Sequence, residues 1–242
     1  METLNPPTVS LVIPAYNEEK YIEDCLDSII KSMGKFHEIV VVDNGSTDKT
    51  REIAGSYQGV RVISEEKKGV MFARQRGINE TTGDIVAFVD ADTKMFPGWY
   101  EQIVEKFGKD LILATLSGPY IYEGISLWTK ILVWFFYYLI ILPVYYFLGY
   151  TAIFGNFAIR RSVLEKMGGL NTEILFYGDD TDTVRRAHKF GKTKFSMDFK
   201  IKTSPRRFEQ EGVIFTAWRY VINFVHVVLF SKPHTKDQTI HR

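Results

Sequence analysis

"IVAFVDADTKMF", residues 85–96, sets five apolar residues directly before two aspartates, Asp90 and Asp92, with only Ala91 between them. Such a run reads as a buried strand, and a buried strand that ends in two carboxylates needs positive charge at its end. The pattern recurs on the N-terminal side. "TVSLVIPAY" (8–16) reads as a first strand broken by Pro14, "HEIVVVDN" (37–44) as a second and "GVRVISEE" (59–66) as a third. Helical patterns separate them. "NEEKYIEDCLDSIIKSM" (17–33) spaces Tyr21, Ile22, Cys25, Leu26, Ile29 and Ile30 as one helix face, and "KTREIAGSY" (49–57) and "GVMFARQRGINETTGD" (69–84) follow.

Strands and helices alternating this regularly imply βα units and a mostly parallel sheet flanked by helices, an α/β fold. In open parallel sheets, ligands bind beyond the carboxyl ends of the strands. Asn17-Glu18, Asp43-Asn44, Lys67-Lys68 and Asp90/Asp92 then share one edge, which is the expected site. The second half is less regular. "DLILATLSG" (110–118) reads as a strand, "FAIRRSVLEKMGG" (157–169) as a strand then a helix, and "DTDTVRRAHKFGK" (180–192) as a helix closing at Gly191; "TKFSMDFKIKTS" (193–204) reads as extended.

The composition sets outer bounds. The 242 residues fit one large domain or a domain with an appendage, and 45% hydrophobic with 24% charged residues supports a sizeable core. A net charge of +1 gives no reason to expect a nucleic-acid partner. Basic residues come instead as pairs, among them Arg206-Arg207, which suit a solvated face or a phosphate. Cys25 is the only cysteine, so no intrachain disulfide or cysteine-built zinc site forms, in keeping with a reducing cytoplasm. "METLNPPTVS" shows no basic segment followed by an apolar one, so no signal peptide is expected.

A single aspartate at a strand end often serves as a turn residue or helix cap. Two of them after an apolar run, with "GDDTD" (178–182) further on, suggest chemistry. "IVAFVDADT" resembles the nucleophile motif of haloacid-dehalogenase-like phosphatases, which would make Asp90 a nucleophile and Asp92 an acid/base beside Mg²⁺. That family places its nucleophile on an early strand, whereas here a complete βαβαβα run precedes it.

A second resemblance accounts for the preceding residues. "VSLVIPAYNEEKYIEDCLDSI", "IVVVDNGSTDKT", "ARQRGINETTGDIVAFVDADT", "GNFAIRRSVLEKMGG" and "GDDTDTVRRAHKFGK" resemble, in order and spacing, the family 2 glycosyltransferases of GT-A fold, over about residues 8–208. The resemblance implies a nucleotide-diphospho-sugar donor, a saccharide or lipid-linked acceptor, a divalent metal (Mg or Mn) and transfer with inversion. Asp92 would ligate the metal, with Asp90 and Ala91 at the ribose or a metal-bound water. Pro14, Ala15, Tyr16 and Glu18 would shape the base pocket, Asp43 and Asn44 would meet the base, and Arg74 the diphosphate or ribose. Asp180 would be the general base, with Asp179 and Asp182 positioning it or capping the helix. Asn156 would line the acceptor pocket, and Arg207 would meet the diphosphate or an acceptor phosphate. A catalytically inactive nucleotide-binding relative is a third reading.

Residues 131–159, "ILVWFFYYLIILPVYYFLGYTAIFGNFAI", contain no charge. The roughly twenty apolar residues from Ile131 to Tyr150 suit a membrane-spanning helix. A single crossing would part Asp90 and Asp92 from Asp180, two would need about forty residues, and Pro143 interrupts the run. Residues 125–150 are therefore expected to lie in a membrane interface, with core helix and dimer interface as alternatives. In "GVIFTAWRYVINFVHVVLFSKP" (212–233), Ile214, Trp218, Val221, Ile222, Val225 and Leu229 form a second apolar face. The expected organisation is a catalytic domain over 1–210 and an amphipathic helix with a polar tail over 211–242. The expected location is cytoplasmic, peripheral at the inner face of the membrane.

Overall fold

The computed structural model of the chain describes residues 5–174 and 177–235; residues 1–4 of the expected catalytic domain and 236–242 of the expected polar tail lie outside it. The first half is built as βα units: β1 (Val9–Ala15), α1 (Ile22–Lys31), β2 (Glu38–Asp43), α2 (Thr50–Gly55), β3 (Val60–Ser64), α3 (Val70–Asn79) and β4 (Ile85–Val89). There follow β5 (Thr93–Lys94), α4 (Trp99–Lys109), β6 (Leu113–Ser117), β7 (Tyr120–Tyr122) and α5 (Leu127–Phe136). A π-helical turn (Tyr137–Ile141) joins α5 to α6 (Leu142–Leu148), and β8 (Asn156–Arg160) and α7 (Arg161–Lys166) come next. The chain continues through α8 (Asp179–Ala187), β9 (Lys192–Phe195), β10 (Ile201–Thr203), α9 (Arg206–Glu211) and α10 (Val213–Phe230).

The main sheet has seven strands in the order β3-β2-β1-β4-β8-β6-β9. It is parallel except at β8, which runs antiparallel to both β4 and β6. Every residue of β1 and β4 is buried, as expected for strands covered on both faces. One apolar layer holds Leu11, Ile13, Leu26, Trp99 and Phe107, and the other Val12, Phe88, Phe157 and Leu164. Helix α3 lies so close to β1 that a Cβ at Gly77 would run into the Val12 side chain. Pairing of Ala15 with Asp43, and of Asp43 with Ser64, brings the strand ends level at the carboxyl edge.

Both prolines that the sequence suggests as breaks are absorbed. β1 continues through Pro14 to Ala15, because its pairing with β4 stops at Val12–Phe88 and Pro14 stands beyond that ladder. At Pro143, the missing N–H and the ring's clash with the preceding turn are met by the π-turn just before α6, with Pro143 in that helix's first turn. The uncharged segment is thus helical throughout Leu127–Leu148. Helix α4, an element beyond those expected, buries Trp99, Ile103 and Phe107.

A small second sheet, β5-β10-β7, fixes the far side of the site. β10 pairs antiparallel with β5, setting Thr203 opposite Thr93, so the C-terminal segment enters α9 beside Asp92.

Candidate active site

The carboxyl edge gathers the loops after β1, β2 and β4 with the start of α8. β4 ends at Val89, and Asp90, Ala91 and Asp92 form a turn closed by the Thr93 N–H on the Asp90 carbonyl (3.1 Å). The strand itself therefore stops short of the two carboxylates. Ala91 packs its methyl group into the core, while the two aspartates turn to different cations.

Asp90 Oδ1 accepts from Arg74 Nη2 (3.0 Å) and Oδ2 from the Tyr120 hydroxyl (3.0 Å). Burial first, and the Asp90 charge next, hold Tyr120 far above the usual phenol range, so it stays a neutral donor. Gly155 leaves room for this pair, since a Cβ there would collide with the Tyr120 hydroxyl and Asp90 Oδ2. Asp92 Oδ2 faces Arg206 Nη2 at 3.0 Å.

Arg74 joins the two halves of the site. It is 4% exposed, donates from Nη1 to Asp179 Oδ2 (2.8 Å) as well as to Asp90, and lies 4.2 Å from the centre of the Phe154 ring. A buried ion triplet of this kind is strongly destabilised if one member is removed, because a desolvated charge remains. Asp179 and Asp180 open α8 after a sharp turn in which Tyr177 (φ 49°) and Gly178 (φ 92°) are both left-handed. For tyrosine that backbone is strained, and such strain is typical of functional sites. Gly178 is the N-cap residue and has no side chain to cap the helix, but Asp180 Oδ1 accepts the first-turn Thr181 N–H (2.7 Å), so this acid also serves the helix start. Asp182 instead pairs with Arg185 (2.9 Å). Burial, and after it the Asp179 charge, push Asp180 up to about 7; burial raises Asp179 as well, against the pull of Arg74.

The loops after β1 and β2 interlock. Asn17, left-handed at φ 53°, accepts the Thr47 N–H on its side chain (2.9 Å), and Asp43 Oδ1 accepts that of Ser46 (3.2 Å). Tyr16 is partly exposed with the Lys68 ammonium 4.5 Å from its ring centre. Buried Glu18 takes a forked pair of bonds from Arg206 (2.7 and 2.8 Å).

Two expectations are corrected. Asn44 does not face a base: its Nδ2 donates to the Glu65 and Lys67 carbonyls and its Oδ1 accepts from the Gly69 N–H, stitching β2 to the loop before α3. Asn156 lines no pocket: it is 0% exposed, accepting from Trp99 Nε1 (2.8 Å) and donating to the Phe199 carbonyl (2.6 Å). Asn156→Ala strands both partners and is expected to cost about 1–3 kcal/mol of stability, read as a lower melting temperature with nucleotide affinity unchanged in the folded fraction. Arg207 meets the Tyr220 hydroxyl and lies near Tyr177, at the α9–α10 end of the site. The arginine at Asp92 is its neighbour Arg206. Tyr120 and Arg206 join the expected site residues: the basic pair in "SPRRF" signals the second, but nothing in "GPYIYEG" signals the first.

Helix α10 closes over this end. Its Tyr220 ring packs edge-on to Tyr177 (5.4 Å), and Val227 fills the space a Cβ at Gly178 would need. The Ile214, Trp218, Val225 and Leu229 side chains point outward, while Thr216, Asn223 and Val227 face the domain.

Comparison with known proteins bears on this arrangement. The family described as Glycosyl transferase family 2 matches residues 10–168. The uncharacterized glycosyltransferase YibD of Escherichia coli (strain K12) is 38% identical over 100 residues, which are 40% of this chain and 29% of YibD. The fold is that of TarS 1–349 of S. aureus (TM-score 0.65, 18% identity, 92% of this chain and 72% of TarS 1–349). It is also that of the mannosyltransferase PcManGT from Pyrobaculum calidifontis, solved in complex with GDP-Man and Mn²⁺ (TM-score 0.65, 22% identity, 90% of this chain and 62% of that one). These matches take in the strands that precede Asp90, and Arg74 and Tyr120 engage both Asp90 oxygens. The phosphatase alternative, with Asp90 as nucleophile, is thereby overturned.

Proposed function

This chain belongs to glycosyl transferase family 2, and on that premise we propose that it transfers a sugar from a nucleotide-diphospho-sugar to a hydroxyl acceptor with inversion, in cell-envelope glycan or lipid-linked saccharide synthesis. The observation that carries the reading is the Arg74 bridge between Asp90, at the end of β4, and Asp179, next to Asp180. It fixes a donor side and an acceptor side to one another.

A divalent cation suits the donor set. Among the described residues no cluster of three or more His, Cys, Asp or Glu forms a cage, so protein ligands are few, and hard cations accept that when substrate oxygens and water complete the shell. Asp92 offers a carboxylate oxygen that already faces a cation, the Arg206 guanidinium. Asp90, with both oxygens engaged, holds Arg74 and Tyr120 in place. The fold neighbour that holds GDP-Man with Mn²⁺ supports the same choice. Bound at Asp92, the ion supplies positive charge to the leaving diphosphate. Tyr16 offers a ring for the base, and Lys68 beside it a charge for a phosphate. Asp180 takes the proton of the attacking hydroxyl, with Asp179 held still by Arg74. One base and no enzyme nucleophile correspond to a single displacement. Thermal shifts with UDP-, GDP- and dTDP-sugars, each with and without Mn²⁺, test the donor side. Stabilisation by at least one pair that neither member gives alone is expected, and none with any pair overturns the reading.

Two long apolar helices support a reaction at a membrane surface, which we infer to be its cytoplasmic side. Leu127–Leu148 and Val213–Phe230 are each long and apolar enough to cross a bilayer, but the first is tethered along the domain. The Tyr137 hydroxyl oxygen accepts the Tyr120 N–H (2.9 Å), and the Tyr145 hydroxyl donates to the Thr193 carbonyl (3.3 Å). Both ends return to sheet strands, β7 before and β8 after. Trp128 (78% exposed) and Phe147 (89%) project outward. In water such a patch favours association, and at an interface each apolar Å² buried returns about 25 cal/mol. The protein is expected to sediment with liposomes. Replacing Trp134, Phe135 and Tyr138 by Ser or Gln should weaken that binding more than donor binding. A wild-type protein that stays monodisperse without detergent and ignores liposomes would refute the membrane assignment.

A further inference from the structure

Three separated parts of the chain meet at Arg206. The Ser204 N–H donates to the Asp92 carbonyl (3.3 Å), Pro205 turns the backbone into α9, and Arg206 is the first residue of that helix. Its side chain therefore starts from a backbone already pinned beside the β4 turn. Nη1 and Nη2 fork onto Glu18 Oε2 and Oε1 at 2.7 and 2.8 Å, and Nη2 also reaches Asp92 Oδ2 at 3.0 Å. The guanidinium carbon lies 5.0 Å from the Tyr21 ring centre. Glu18 is 1% exposed, so the fork is a buried, charge-assisted anchor of the strong kind. The Asp92 contact is an additional one made by a nitrogen that the fork already holds.

A divalent ion and a guanidinium cannot both sit against one carboxylate oxygen without like-charge repulsion. We propose that Arg206 is a donor-positioning residue that neutralises Asp92 while the site is empty, yields Asp92 Oδ2 to the divalent cation, and turns Nη2 to the donor's diphosphate. The anchor on Glu18 stays in place through the exchange. The inference rests on Asp92 being the metal ligand. It assigns Arg206 two opposite effects: the guanidinium opposes the metal alone, because the two compete for one oxygen. It favours the metal–nucleotide pair, because the diphosphate brings negative charge for Nη2 to meet. A residue that merely held the loops together would support both.

The test measures Mn²⁺ alone, then UDP and GDP in the presence of Mn²⁺, by titration calorimetry and by the electron paramagnetic resonance signal of free Mn²⁺. Arg206→Gln is expected to tighten Mn²⁺ binding several-fold and to weaken Mn²⁺-dependent nucleotide binding by about tenfold or more. Because this substitution strands the buried Glu18 carboxylate, the double variant Glu18→Gln/Arg206→Gln is measured beside it, with the same pair of opposite shifts expected. Mn²⁺ affinity that is unchanged or lower in the folded variants overturns the exchange, as does nucleotide affinity that does not fall. Asp92→Ala, measured in parallel, isolates the premise: if it retains wild-type Mn²⁺ binding, Asp92 is not the ligand and the proposal falls with it.

Discussion

Asp92→Ala abolishes metal-dependent nucleotide binding, and transfer falls by a factor of about 10³ or more. The expectation follows from how few carboxylates are available. Among the described residues no third acidic, histidine or cysteine ligand completes a cage around Asp90 and Asp92. Asp90 cannot substitute without releasing Arg74 or the Tyr120 hydroxyl. The leaving diphosphate then departs without the cation that would spread its charge. Folding survives, because Arg206 keeps its two bonds to Glu18 when the Asp92 contact goes. Nucleotide binding with and without Mn²⁺ is the deciding measurement, with a wild-type melting temperature as the control for folding. A variant whose nucleotide affinity still responds to Mn²⁺ as the wild type does would remove Asp92 from the metal site, whatever its turnover.

The sequence made legible what depends on local pattern. β1 and β4 are runs buried on both faces, which hydrophobicity alone reveals, and alternation with helices is enough to put Asp43, Asp90 and Asp92 on one edge. α4 was legible too: Trp99, Ile103 and Phe107 recur every four residues, a helical stripe that went unread. What stayed hidden depends on contacts between distant residues. Asn44 is turned inward by two carbonyls of the 65–67 loop, and Asn156 by Trp99 and Phe199. Neither partner set is encoded near the asparagine itself. The pair Arg206-Arg207 stood out as a basic motif, but which arginine meets Asp92 is decided by the register of β10 against β5. Proline misled twice for one reason: its cost depends on whether a hydrogen bond is due at that position. None is due at Pro14, past the end of the β4 ladder, and the π-turn accommodates Pro143.

Asp180→Asn leaves donor binding nearly intact and lowers turnover by a factor of about 10² or more, the usual cost of losing a general base. The wild-type enzyme should show the titration of that base. Burial first, and the Asp179 charge second, push Asp180 up to about 7. Its carboxylate, the form able to accept a proton, is then depleted below neutrality, so kcat rises with pH and levels off above about 7. The same shift carries a sign for stability. A carboxyl group whose folded value lies above its unfolded value favours the fold while protonated, and that contribution is lost as pH rises through the folded value. At pH 8 the wild type therefore carries a desolvated carboxylate that asparagine does not. Asp180→Asn should melt at a higher temperature than the wild type at pH 8, with the gap closing as pH falls below 7 toward the ordinary carboxylate range. An inactive variant that is also more stable is what a base held in an environment unfavourable to its charge predicts. If turnover collapses in Asp179→Asn while Asp180→Asn keeps near wild-type turnover, the base is Asp179, and Arg74 then holds the base directly through its 2.8 Å contact.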